Sequence, residues 1–212
     1  MNTDNPYAAP AATVVSSGVP AGYLQNSQFG QRLRLSARLS IAYFFLSIVL
    51  VVAAFDGNLL SETATLAVEF AADIAFIILL RTLRDFLVRR FDCRKINWPV
   101  NALIVLTILS FGLSSVLILV AGELASQLEM LQLLLLIPYG IATFFLGLKI
   151  RKVKAVFPYL SGFAHLTMLL GACMAVIVLV VLVVVVGPVW DILLALLLFA
   201  AAREFKETEP VS

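Results

Sequence analysis

Long apolar runs along this chain end in two chemically different ways. All 15 Lys and Arg residues fall within Arg32–Arg38, Arg81–Lys95, Lys149–Lys154 and Arg203–Lys206, so basic residues mark one set of ends. The other ends are acidic or neutral breaks at Asp56-Gly57-Asn58, Gly122–Glu129 and Gly187-Pro188. Basic ends alternating with acidic ones are what the positive-inside rule leaves in a chain that crosses a bilayer repeatedly. The pattern predicts an all-α integral membrane protein with six transmembrane helices forming three helical hairpins. Their spans are about 37–55, 62–83, 99–121, 129–149, 161–186 and 189–203.

Residues 1–35 precede this domain, rich in Ala, Pro, Ser, Asn and Gln, and read as a disordered cytoplasmic tail. Residues 205–212 read as a second cytoplasmic tail. Arg32, Arg34 and Arg38 ahead of the run Ile41–Phe55 also fit a signal peptide, with Val52-Ala53-Ala54 near a cleavage site. The long leading region and the five further spans favour an uncleaved first helix. The second helix is expected to continue in water to near Phe91. Trp98 and Pro99 open the third, with tryptophan at the interface and proline in the first turn. Pro138 predicts a kink in the fourth. The fifth is the longest, about 39 Å by helical rise, and should tilt. Gly187-Pro188 ends it. The sixth is about 22 Å long; it fits a re-entrant segment, but Arg203 and Lys206 at its end favour a full crossing.

Composition agrees with this class: 62% hydrophobic and 13% charged residues exceed what a soluble core of this length uses. A net charge of +2 does not point to nucleic acid. Basic residues beside apolar spans suit anionic lipid head groups, so the expected partners are the lipid bilayer and a membrane protein or second copy. Cys93 and Cys173 read as free thiols. Cys93 next to Arg94 and Lys95 could have a lowered pKa and react, although an inert loop cysteine is the favoured reading.

The candidates for chemistry are polar groups inside the spans. Glu69 and Asp73 stand four apart on one helix face. Each ionised acid costs about 2.5–3.5 kcal/mol at mid-span, while Leu, Ile, Val and Phe return about 0.3–0.6 apiece. With ten such residues between Leu66 and Leu83, the two sums nearly cancel. The second helix therefore needs a partner, a proton or water. No cation lies at that depth, and Arg81 can snorkel outward. Intramembrane acids mark ion or proton paths; the other reading is that hydrogen bonds to neighbouring helices use them for packing. Ser47, Ser110 and Tyr139 fall near mid-span, with Ser114 and Ser115 further out. Glu69, Asp73, Tyr139 and Ser110 form a candidate intramembrane polar site, with the kink at Pro138 helping to shape a pocket around Asp73 and Tyr139, although each serine alone more simply bonds its own backbone. Gly171 and Ala175 form a small-xxx-small helix-packing step, and Pro138 is the third expected helix-packing residue.

His165, the only histidine, reads as an interfacial or packing residue, with an intramembrane hydrolase as a remote alternative. Asp191 is expected to cap the sixth helix. No Walker loop, dinucleotide fingerprint or Cys/His metal spacing occurs, so neither cofactor nor metal is expected and the chain does not read as an enzyme.

The opening Asn5-Pro6-Tyr7-Ala8-Ala9-Pro10 resembles the Asn-Pro-Tyr-x-x-Pro tails of uncharacterised bacterial multi-pass inner-membrane proteins. Some of those carry an Arg-Asp-Asp domain; the first helix here lacks that pattern. The resemblance implies the bacterial inner (plasma) membrane and carries over no active residue. With the basic ends inside, both termini are expected in the cytoplasm. Short loops and missing motifs favour a non-enzymatic scaffold, assembly or regulatory partner. The alternative is a small proton- or cation-coupled transporter or channel using Glu69 and Asp73.

Overall fold

A computed structural model of the chain describes residues 20, 23–24, 26–55, 61–120, 122–153, 157–176 and 179–205. The tail motif at 5–10, Asp56-Gly57-Asn58, Lys154 and Lys206 lie outside the described residues. Every regular element among the described residues is helical. In order they are α1 (Ser27–Phe55), α2 (Glu62–Phe91), a 3₁₀ turn at Arg94–Ile96, α3 (Asn97–Leu117), α4 (Glu123–Arg151), α5 (Leu160–Ala175) and α6 (Val180–Glu204). Five of them (α1, α2, α3, α4 and α6) are long and apolar enough to cross a membrane. α5 is apolar but has only 16 residues, about 24 Å of rise against a hydrocarbon core of about 30 Å. This is the make-up of an all-α membrane protein.

Local chemistry sets the helix ends. Asn26 Oδ1 accepts from the Phe29 N–H at 3.0 Å and starts α1, and Ser61 Oγ accepts from Ala64 at 3.3 Å and starts α2. α2 stops where Asp92 turns left-handed at φ 48° and the Cys93 N–H closes onto the Leu87 carbonyl.

Three expected boundaries are corrected. α1 begins at Ser27 rather than near 37, because Phe29, Leu33 and Ala37 form a buried stripe while Arg32 and Arg38 stay outside. The expected tail 1–35 therefore contains the first turns of a helix. α4 begins at Glu123, so the expected acidic loop 122–129 is mostly helix, with Glu123 favourably placed in its first turn. Finally, the break between the last two helices falls after Ala175, where Val176 turns extended (φ −102°, ψ 94°), and not at Gly187-Pro188. Pro188 lies inside α6. A proline withdraws one N–H from the ladder, here from the Val184 carbonyl, and packed membrane helices tolerate that loss. α5 thus becomes the short helix and α6 a long one. α4 likewise runs through Pro138 without interruption.

Each helix packs against its neighbours in sequence, and α1 packs against α6, so the six helices close into a ring. Burial along the ring is one-sided. Buried positions run from Phe29 to Ser40 on α1, Ala72 to Leu87 on α2 and Pro99 to Thr107 on α3. They run from Gly140 to Ile150 on α4 and from Trp190 to Ala202 on α6. Among the described residues, none nearer the acidic end than Ser40 on α1, Ala72 on α2, Thr107 on α3, Gly140 on α4 or Trp190 on α6 is buried. The bundle is therefore tightly packed at its basic ends and open at its acidic ends. Arg90 at the end of α2 and Glu204 at the end of α6 tie the closed end together, 3.1 Å apart. α4 and α5 approach backbone to backbone at their glycines. A Cβ on Gly140 would meet the Gly171 carbonyl at 2.6 Å, and one on Gly147 the Ala164 carbonyl at 2.7 Å.

Candidate functional site

A cavity of about 270 Å³ sits where the packed half of the ring gives way to the open half, and all six helices line it. Its wall toward the basic ends is Leu80, Leu103 and Leu146, each 1% exposed. Its wall toward the acidic ends includes Val51, Val183 and Val184, none of which is buried. The cavity is thus sealed on one side by a leucine layer and accessible from the other.

Aromatic rings form its inner surface. Phe76 on α2 stacks on Tyr43 of α1 with centroids 5.8 Å apart and reaches Tyr139 of α4 at 6.4 Å and Trp190 of α6 at 6.2 Å. Hydrogen bonds fix two of these rings. Trp190 Nε1–H donates to Thr167 Oγ1 at 2.8 Å, and Thr167 donates onward to the Phe163 carbonyl at 2.7 Å. Thr107 gives its proton to the Leu103 carbonyl at 2.9 Å, which leaves Tyr139 as the donor in the 3.3 Å Tyr139–Thr107 pair.

Among its described lining residues the cavity has one carboxyl group, Asp191, which is only 4% exposed. Ser47 stands beside it while donating to the Tyr43 carbonyl at 3.0 Å. No Lys, Arg or His is among the described residues of the lining. The expectation that Asp191 caps a helix end is therefore corrected. With α6 starting at Val180, Asp191 lies mid-helix. The mistaken break at Gly187-Pro188 concealed it; the signal was the unbroken apolar run on both sides of Pro188, which supplies a full span with Asp191 at its centre.

Glu69 and Asp73 occupy the same face of α2 as Phe76 and Leu80, at spacings of four, seven and eleven. Phe76 and Leu80 line the cavity, so the two acids continue that face toward the open end. Asp73 is close enough to interact electrostatically with Glu69 and with the phenols of Tyr43 and Tyr139. Both acids are half-buried. Ser110 lies outside the central cavity, in a second one of about 340 Å³ that it shares with Glu129, Gln132 and Tyr139. Tyr139 lines both. Pro138 is exposed and lines a groove on the outer surface between α3 and α4, so it is not part of a site with Asp73. Gly171 and Ala175 lie at the α4–α5 contact, where the Gly171 carbonyl and the Ala175 N–H crowd Gly140.

The remaining candidates stand apart. His165 is exposed and donates from Nδ1 to the Ser161 carbonyl at 2.8 Å, one turn back on its own helix. Cys93 departs from the lowered pKa its basic neighbours suggested: burial pushes the thiol up, against the opposing pull of Lys149 and Lys95. Both cysteines are free. Comparison of the chain with known protein families, curated proteins and solved structures finds no match.

Proposed function

We propose that this is a six-span protein of the bacterial inner membrane that binds a small organic cation in its central cavity and carries it across the bilayer. Both chain ends and all basic helix ends face the cytoplasm in this reading. α5 would cross by local thinning of the bilayer, and its place between α4 and α6 in the ring supports a crossing.

The observation that carries the proposal is Asp191: a buried carboxyl, in a cavity lined by six helices, with no basic residue among the described lining residues. Ionisable groups held inside a membrane domain mark ion and substrate paths. The aromatic lining selects among cations. Ring faces attract a weakly hydrated ammonium by about 0.5–2 kcal/mol each, whereas they offer a small metal ion nothing to replace its water. Glu69 and Asp73 then act as an approach path, attracting cations into the open end and toward Tyr43 and Tyr139. Passage requires the leucine layer to part, so the described form is the one open to the acidic side.

Uptake of radiolabelled tetraethylammonium into proteoliposomes tests this. Wild type should accumulate it above protein-free vesicles, Asp191→Asn should not, and Glu69→Gln with Asp73→Asn should slow uptake without abolishing it. Equal uptake by wild type and Asp191→Asn would refute the proposal and return the protein to the scaffold or regulatory role.

A further inference from the structure

A second, separate site stands at the closed end of the bundle. A recess of about 680 Å³ lies between the end of α2, the 3₁₀ turn and the end of α4. Arg90, Arg94, Lys95, Lys149 and Lys152 line it, with Asp92 as the only acid among the described lining residues. Glu204 engages Arg90 and Asp92 engages Arg94. Lys95, Lys149 and Lys152 enter none of the ion pairs among the described residues. The carbonyl ends of α2 and α4 offset part of their charge, and a net positive recess remains.

α4 also lines an apolar groove of about 530 Å³ on the outer surface, between α3 and α4. Trp98, Ala102 and Val105 form one wall, and Pro138, Ile141 and Ala142 form the other. Recess and groove share α4, and the 3₁₀ turn of the recess leads directly into α3. On α4, Ile141, Phe145 and Lys149 follow one another at four-residue spacing, and on the facing segment Trp98 is one turn beyond Lys95. The Trp98 and Phe145 rings, 5.4 Å apart, stand at the junction. Trp98 is 49% exposed, the placement of an aromatic residue at head-group level.

We propose that recess and groove together bind one anionic phospholipid, its phosphate among Lys95, Lys149 and Lys152 and an acyl chain along the groove beneath Trp98. A zwitterionic lipid fits the groove equally well but leaves three cations without a matching net charge. A soluble phosphate fits the recess and leaves the groove unused.

Brominated acyl chains quench tryptophan on contact, so the test is Trp98 fluorescence of the full chain in phosphatidylcholine bilayers. Brominated phosphatidylglycerol is titrated against brominated phosphatidylcholine. Trp190 is buried and should contribute little to the change, and Trp98→Phe should remove the quenching. The expected result is stronger quenching by the anionic lipid at equal mole fraction, with the preference falling about fivefold for each lysine changed to Gln. Lys→Arg at all three positions should keep it. Coincident curves in the wild type, a preference unchanged in the Gln variant, or quenching that survives Trp98→Phe would overturn the assignment. So would loss of the preference with millimolar inorganic phosphate but not with chloride at matched ionic strength; the recess would then be a soluble-phosphate site.

Discussion

Replacing Gly171 with Ala tests how the cavity is held in shape. A Cβ at position 171 would stand 2.6 Å from the Gly140 carbonyl oxygen and 2.7 Å from Phe144 Cα, and would also crowd the Phe144 nitrogen. Ordinary contacts lie near about 3.5 Å. All three neighbours are backbone atoms, so no side chain can swing away and α4 and α5 must part by roughly 1 Å. Overpacking of this kind costs about 1–3 kcal/mol, and alanine's better helix propensity returns about 0.5–1 kcal/mol. A net loss of about 1–2 kcal/mol lowers the melting temperature by about 2–8 °C for a chain of this length. Gly162 supplies the control. It is on the same helix, is exposed, and its Cβ would meet nothing within 4 Å, so Gly162→Ala should hold or raise the melting temperature. The assay is thermal unfolding of both variants in one mild detergent, followed by circular dichroism. If Gly171→Ala melts at or above Gly162→Ala, α4 and α5 do not meet as described. The cavity wall formed by Leu170 and Met174 would then be misplaced too.

Thr167→Val should remove the only described acceptor of the Trp190 indole and destabilise the protein by about 1–3 kcal/mol, while Thr167→Ser should not. An unchanged melting temperature would mean the indole is not held by this bond. Cys93 should alkylate more slowly than free glutathione between pH 7 and 9, because its raised pKa leaves less thiolate at each pH. The rate should climb as pH rises toward the folded pKa, and Lys149→Ala should slow it further. Iodoacetamide kinetics on the purified protein measure this, and a rate at or above that of glutathione would contradict it.

The sequence made the ends of helices legible more readily than their contacts. Basic clusters located the closed ends of α2, α4 and α6, because membrane charge asymmetry is a property of each span taken alone. α1 was read short because the stripe of Phe29, Leu33 and Ala37 is interleaved with arginines, which resemble a flank until their partners are known. The apolar run from Ala175 to Val186 contains no punctuation, so the break at Val176 had no local signature. Gly187-Pro188 does have one, and by sequence alone it marks the end of a helix. That single displacement turned Asp191, a mid-helix carboxyl, into a cap. Glu69 and Asp73 were visible because four-residue spacing places them on one face without any tertiary knowledge. That their face leads to Tyr43, Tyr139 and Asp191 depends on the ring closing between α1 and α6, and no local pattern encodes that contact.

In the proposed reading each carboxyl has a distinct position: Glu69 and Asp73 on the approach from the open end, Asp191 in the cavity. Cation binding depends above all on Asp191. Equilibrium binding of tetraethylammonium to the full chain in detergent, measured by titration calorimetry, tests it most directly. Wild type and Asp191→Glu should bind, and Asp191→Asn should bind at least about tenfold more weakly, as expected when a buried charge partner is removed. Undiminished binding by Asp191→Asn, or none by the wild type, would contradict the assignment of the cavity as a cation site.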